Sequence, residues 1–279
     1  MKIKSVKKLR KAPIEHWSYS SLVSFLRNPL AWYKRYVENV YDTPSSPSSF
    51  VGRAGHLALE YFYKGTSKEE STERGLEYIR NVADFEINFG KAKTKSSRKK
   101  KRLVMEKEYK QAISFYLARP PRYKVLGVEN SATVEVKGLA LPIKAISDLV
   151  VVSGVDKDAV DIVDHKFVTS FSKFGSEKTM FIIQAMFNYY TVGKTYDKKV
   201  KRFIIQECKR TKNSDGSTQM KKHIINFDDC AEEFFLFHKL INDATEEITR
   251  QRIFLPNPSD MFEGENSFDI YRLGLISGE

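Results

Sequence analysis

Two acidic residues and a lysine in the middle of the chain have a spacing that could support metal-dependent chemistry. Asp164 and Lys166 lie in the apolar segment DIVDHKFV, residues 161–168. If this segment is a strand, both side chains point to one face and His165 points to the other, because residues two apart share a face. Asp148 lies about eight residues before the centre of the preceding turn and Asp164 about eight residues after it, so we expect their carboxylates to face each other across an antiparallel pair.

Opposed carboxylates repel each other, and a divalent cation between them removes that cost. Oxygen ligands suit Mg²⁺ or Mn²⁺. Lys166, on the same face as Asp164, could hold an attacking water or neutralise phosphate charge. The alternative is an ion pair on a strand surface, which is common and contributes little stability.

The periodicity of apolar residues predicts the elements that must position these side chains. Helical patterns start after Ser18 and at Pro29, and others cover residues 50–65, 68–89 and 103–118, with a basic loop at 91–102. After Pro120 the period changes to two, and strands are expected at 124–138, 139–154, 159–168, 201–208 and 219–227, with helices at 177–193 and 228–251. This order indicates the α/β (α+β) class, with a mixed central sheet flanked by helices. We expect a basic tail at 1–16, a helical lobe at 17–120 and a core at 121–279.

The net charge of +12 is concentrated in two short segments. Residues 1–12 carry six basic residues and residues 91–102 carry eight, and neither segment has an acid, so the remainder is close to neutral. Such tracts can bind nucleic-acid phosphate, although many are only solvated. The sequence has no run of 18 apolar residues, so we expect no membrane span. Two cysteines give no disulfide framework, and an intracellular, cytoplasmic location is the default expectation.

Several motifs together resemble a known family. Asp148 followed by Asp164-His165-Lys166 is similar to the D…(D/E)xK signature of the PD-(D/E)xK nuclease superfamily. The segment GRAGHLALE, residues 52–60, resembles the GxxxH helix of its RecB-like or Cas4-like branch. The opening WSYSSLVSFLRNPLAWYKRY and the later IIQAMFNYY resemble that branch at the expected places, over residues 17–258. The resemblance implies a restriction-endonuclease-like core, and a phage origin would place the protein in the host cytoplasm.

The resemblance also implies roles for individual residues. His56, Asp148 and Asp164 would be metal ligands, and the backbone carbonyl of His165 would add another. Lys166 would position and activate the water, and Gln184 would meet the DNA or the lysine. The remaining residues are expected to contact DNA: Glu129, Tyr189, Arg98, Lys99, Lys100 and Lys101.

The chain departs from the family pattern at three places. Ala145 stands where a glycine is usual, and Tyr189 lies one residue later than the usual tyrosine. Relatives with an iron–sulfur cluster have an early cysteine where this chain has Asn28, and three late cysteines that are missing here. We therefore expect Mg²⁺ or Mn²⁺ and no iron–sulfur cluster.

The sequence thus predicts a metal-dependent DNA nuclease, an exonuclease acting on ends or single strands in recombination, repair or replication. Replication or recombination proteins are the expected partners. Two alternatives remain open. One is a catalytically inactive nuclease-fold module that binds nucleic acid, and the other is a structural recruitment protein in which the acids merely pair.

Overall fold

The computed structural model describes residues 11–40, 44–172, 178–250 and 252–258. Seven α-helices lie within these residues: α1 Tyr19–Arg27, α2 Pro29–Tyr36, α3 Pro47–Tyr63, α4 Lys68–Asn81, α5 Lys95–Ala118, α6 Lys178–Tyr196 and α7 Ala231–Thr249. Six strands of a mixed sheet lie there too: β1 Trp17–Ser18, β2 Val125–Val134, β3 Ile143–Val152, β4 Val160–Val168, β5 Val200–Lys209 and β6 Met220–Asn226. The predicted class, a mixed sheet with flanking helices, is confirmed. No helix in the described part of the chain is both long and apolar enough to cross a membrane.

The chain forms two compact units, and the first consists of residues 1–41, 133–145 and 231–279. Within it, β1 pairs in parallel with the first residues of β3. The rings of Trp17 and Trp32 stack at 5.7 Å, and Trp17 Nε1 donates a hydrogen bond to Thr245 Oγ1 on α7 at 2.9 Å. Trp32 Nε1 donates to Ser21 Oγ at 3.4 Å, so both buried indoles have a hydrogen-bond partner and give this unit an aromatic core. The N-terminal tail, residues 1–10, lies outside the described residues.

The second unit consists of residues 42–132 and 146–230. Here β3 and β4 are antiparallel, β4 and β5 are parallel, β5 and β6 are antiparallel, and β2 pairs with β3. Helix α6 connects the two parallel strands, as a parallel pair requires. Helices α3, α4 and α5 share a hydrophobic cluster that includes Leu59, Ile79 and Ile113. The predicted division into a lobe at 17–120 and a core at 121–279 remains a prediction.

The prediction that residues 91–102 form a loop was wrong for residues 95–102. Helix α5 begins at Lys95, where the Thr94 side chain accepts from the Ser97 N–H in a capping box. Lysine and arginine are good helix formers, so a cap is enough to start the helix inside the basic run. Arg102 then fastens it by donating to the Val82 carbonyl and to Asp84.

The predicted helix at 68–89 is also shorter in the structure. Helix α4 ends at Asn81, and a single 3-10 turn follows at Asp84–Glu86. The Ser45 N–H donates to the Glu86 carbonyl at 2.8 Å, and the Ser45 carbonyl accepts from the Asn88 N–H at 2.9 Å. This backbone pairing with a distant residue holds the segment extended, which local periodicity does not reveal.

A buried polar network lies on the sheet of the second unit. Glu207, on β5, is fully buried and accepts hydrogen bonds from the Ser172 N–H at 3.0 Å and from its hydroxyl. His223 Nε2, on β6, lies 3.1 Å from the same carboxylate. Because a buried carboxylate needs partners, this network ties the segment after β4 to β5 and β6.

Candidate metal and catalytic site

The site lies where β3 and β4 separate. Their pairing runs from Val152 opposite Val160 to Leu149 opposite Val163. One step further in the same register, Asp148 lies opposite Asp164, the arrangement that the turn position predicts. The strand pairing ends before this step, and the side chains of both aspartates are largely buried among residues from other elements.

Helix α3 brings His56 to this opening. Its Nδ1 lies 3.2 Å from Asp148 Oδ2, and the imidazole is about one-third exposed (31%). Burial lowers the pKa of His56, but the charge and hydrogen bond of Asp148 outweigh it and raise the pKa to about 9. The imidazole and the carboxylate therefore hold each other in place in the metal-free protein.

The close approach of α3 to β4 depends on Gly55, which precedes His56. A Cβ at this position would have three ring carbons of Phe167, on β4, within 2.6 Å. The Phe167 ring also packs edge-on against His56, with the ring centres 5.9 Å apart. Gly52, the glycine that the GxxxH resemblance emphasises, has open space around such a Cβ. Gly55 was not among the residues predicted from the sequence, and the small residue directly before His56 was the only signal for it.

Glu129, on β2, completes a group of three possible ligands. One ligand atom each of His56, Glu129 and Asp148 lie within 4.8 Å of one another. Glu129 adopts a φ of 48°, a left-handed conformation that is uncommon for a residue other than glycine. Desolvation, followed by the nearby Asp148 charge, raises the pKa of Glu129 to about 7. The structure thus places among the candidate metal ligands a residue that the sequence predicted as a DNA contact.

Asp164 is buried beside the lysine and the glutamine that the sequence associates with it. Lys166 Nζ lies 2.8 Å from Oδ2 and donates to Oδ1 at 3.1 Å. Gln184 Nε2, on α6, donates to Oδ1 at 2.7 Å. Burial raises the pKa of Asp164, Lys166 opposes that shift, and the Asp148 charge adds to it. The carboxylate is thus oriented from two sides through Oδ1.

The His165 side chain is buried, and its Nδ1 lies 3.5 Å from Asp148 Oδ2. Its backbone N–H donates to Asp148 Oδ2 at 2.7 Å, and its Nε2 lies 2.8 Å from the Tyr116 hydroxyl. The Tyr116 hydroxyl in turn lies 2.7 Å from that of Tyr63. Burial opposes ionisation of Asp148, but His56 and His165 together hold its pKa well below the usual range. No sequence pattern indicated Tyr116 or Tyr63.

The donor set fits a divalent cation. It combines one imidazole with two or three carboxylates, and carboxylate oxygens suit Mg²⁺ and Mn²⁺. Asp164 Oδ2 is buried and makes no hydrogen bond, although the lysine nitrogen lies nearby. Burial raises the pKa of Asp164, whereas His56 and His165 lower that of Asp148, and a cation would favour the ionised form of both carboxylates.

The other predicted contact residues lie elsewhere. The Tyr189 ring packs on Phe227, with the centres 4.8 Å apart, and on Tyr190. Lys99, Lys100 and Lys101 are exposed on the first turns of α5. The guanidinium of Arg98 lies over the Phe89 ring at 5.7 Å. Asn28 occupies the position of the early cysteine expected in relatives with an iron–sulfur cluster. Its side chain caps α2 by accepting a hydrogen bond from the Ala31 N–H.

Taken together, the mixed sheet presents two carboxylates and a lysine beside a histidine from a packed helix. The family described as the PD-(D/E)XK nuclease superfamily matches residues 16–261, and the chain belongs to it. None of the curated proteins matches this chain. A solved structure, "Crystal structure of SSO0001", is similar over 81% of this chain and 83% of its own, with 15% sequence identity and a TM-score of 0.28. Membership of the superfamily indicates a nuclease, a hydrolase with a nucleic-acid substrate.

Proposed function

We propose that this protein is a Mg²⁺- or Mn²⁺-dependent deoxyribonuclease, an exonuclease that acts on DNA ends or single strands in recombination, repair or replication. The observation that carries the proposal is the convergence of His56, Glu129 and Asp148 beside the Asp164–Lys166 pair. Superfamily membership supports the hydrolytic reaction, and the ligand chemistry supports the metal. The preference for DNA and for ends, and replication or recombination proteins as partners, rests on the sequence resemblance.

In this proposal His56, Glu129, Asp148 and Asp164 hold the cation. When bound, it supplies a Lewis acid for the scissile phosphate and lowers the pKa of a water molecule. Lys166 orients the attacking water and balances the charge that develops on the phosphate oxygens. Its ammonium is one-third exposed (30% for the side chain) yet lies 2.8 Å from Asp164, so it is fixed and still accessible to substrate.

Gln184 acts on Asp164 in this mechanism. Because its amide donates to Oδ1, it leaves Oδ2 without a hydrogen bond and available to a cation. Residues that orient a metal ligand typically contribute about 10- to 100-fold to metal affinity. Gln184→Leu is therefore expected to weaken Mn²⁺ binding by about that factor.

The test compares Asp164→Asn with Asp158→Asn. Both change one aspartate of the β3–β4 hairpin, but Asp158 is exposed in the turn at its far end. Purified proteins are incubated with end-labelled linear DNA, circular DNA and RNA, in Mg²⁺, Mn²⁺ or EDTA. We expect Asp164→Asn to lose at least about 100-fold in cleavage rate and Asp158→Asn to keep wild-type activity.

Cleavage of linear DNA with circular DNA intact supports the exonuclease assignment, and preference for RNA overturns the DNA assignment. Metal-dependent cleavage that survives in Asp164→Asn overturns the assigned site. A wild-type protein that binds DNA but cleaves none of the substrates with either metal is the inactive binding module instead.

A further inference from the structure

A cavity of about 780 Å³ lies in the second unit, next to the C-terminal ends of α3 and α5 and the first residue of β2. Its lining includes three basic residues, Lys68, Arg119 and Arg122, and no acidic residue. It also includes three aromatic residues, Phe62, Tyr63 and Tyr123. The nuclease mechanism uses none of these six side chains.

The three basic residues present their charge to solvent. All three are exposed, and within the described part of the chain none of them has an ion-pair partner. Arg119 and Arg122 follow the C-terminal end of α5, where the helix dipole gives the last carbonyls partial negative charge, and Lys68 begins α4. Those carbonyls repel anions, so the three cations must supply the attraction for any phosphate that enters.

The aromatic residues form a connected wall. The Tyr63 ring centre lies 5.1 Å from that of Phe62 and 6.2 Å from that of Tyr123. The Tyr63 hydroxyl is hydrogen-bonded to the Tyr116 hydroxyl and donates to the Pro121 carbonyl at 3.4 Å. These contacts fix the ring of Tyr63, which lies between the other two. A rigid aromatic wall beside unpaired cations is the combination that binds nucleotides by stacking and by phosphate contact.

The cavity is connected to the metal site by two continuous elements. Helix α3 rises about 10 Å from His56 to Tyr63. Strand β2 extends about 13 Å from Val125, in the cavity lining, to Glu129. At about 3.4 Å per stacked nucleotide, these lengths correspond to about three to four nucleotides. Tyr63 also stacks on His165, whose N–H binds Asp148, with the ring centres 6.0 Å apart.

We propose that this cavity binds an unpaired nucleotide of the substrate strand, about three to four nucleotides from the scissile phosphate. The base stacks on Phe62 or Tyr123, and the adjacent phosphates contact Lys68, Arg119 and Arg122. A paired base is stacked inside its duplex and cannot reach such a wall, so the ligand is a single strand or an unwound end. The inference rests on the proposed nuclease function for its substrate and deepens it by naming the strand state that is bound.

The test measures binding without cleavage, so that it is independent of catalysis. A fluorescent 12-nucleotide single strand and a blunt duplex of the same sequence are titrated with full-length protein in EDTA at several salt concentrations. The first variant combines Lys68→Gln, Arg119→Gln and Arg122→Gln. Its matched control removes three exposed lysines of the same unit, in Lys107→Gln, Lys110→Gln and Lys157→Gln. A second variant, Tyr123→Leu, removes one ring and keeps the charge.

We expect the cavity variant to lower the slope of log affinity against log salt for the single strand by about 0.7 for each phosphate that the removed cations bind. Tyr123→Leu should weaken single-strand binding about 5- to 150-fold, the range for one stacked base. The control should match wild type. Unchanged single-strand affinity in both variants overturns the proposal, and so does an equal loss for the duplex. If wild type cleaves nothing with metal, the proposed function fails, while these binding results still decide the cavity.

Discussion

Replacing each of two glycines of α3 by alanine separates the packing of this helix from its intrinsic stability. Gly52 and Gly55 lie three residues apart in one helix, so both substitutions bring the same gain in helix preference, about 0.5–1 kcal/mol. An added Cβ meets nothing within 4 Å at Gly52, whereas at Gly55 it overlaps the Phe167 ring. Only the second substitution therefore requires a shift, either of the Phe167 ring or of α3.

The overlap determines the size of the difference. Three ring carbons within 2.6 Å cannot be accommodated without moving the ring or the helix, and overpacking of this kind costs about 1–3 kcal/mol. Gly52→Ala should thus raise the free energy of unfolding by about 0.5–1 kcal/mol. Gly55→Ala should lie about 1–3 kcal/mol below it, because the helix contribution cancels between the two variants.

The assay is urea unfolding of both variants, together with titration of Mn²⁺ into the metal-free proteins. Because Phe167 also contacts His56, the shift in Gly55→Ala should weaken Mn²⁺ binding about tenfold or more, while Gly52→Ala should bind as wild type does. Equal stabilisation by the two alanines would contradict this account. It would show that the ring moves aside freely and that this contact does not position the histidine.

Three further predictions concern the pH dependence of the site, the buried network and the basic helix. A bound cation needs the neutral imidazole of His56, and the pKa of that imidazole is about 9, above its unfolded value. Mn²⁺ affinity should therefore rise about tenfold per pH unit between about pH 7.5 and 8.5, and calorimetry should show about one proton released per ion. A pH-independent Mn²⁺ affinity would contradict this. Glu207→Leu should lower the free energy of unfolding by about 3–5 kcal/mol, because it leaves His223 and the Ser172 N–H buried without this carboxylate. A loss of less than about 1 kcal/mol, measured by urea unfolding, would contradict this role of the network. Changing residues 99–101 to glutamine should lower the slope of log DNA affinity against log salt by about 0.7–0.9 per phosphate contact, without loss of stability. Arg102→Gln should instead lower the free energy of unfolding, since Arg102 donates to the Val82 carbonyl and to Asp84. An unchanged slope would show that the three lysines contact solvent and not DNA.

Local pattern in the amino-acid sequence predicted which residues of the candidate site would lie near one another. Alternation in DIVDHKFV placed Asp164 and Lys166 on one face and His165 on the other, because the side-chain period of a strand is two. The position of the turn determined that Asp148 lies opposite Asp164, because the register of a hairpin follows from its loop. The class of fold followed in the same way, from the change of period after Pro120.

Contacts between distant residues account for what the local pattern did not predict. Glu129 has the pattern of an ordinary strand acid, and it joins His56 only because β2 pairs with β3 and α3 crosses β4. Gly55 matters because an aromatic side chain from another element occupies the space above it. The basic run is helical through a cap and the contacts of Arg102, which net charge does not encode. Packing at long sequence separation selects among local patterns that are each acceptable alone, and the aromatic and basic cavity is likewise formed by residues about 60 positions apart in the chain.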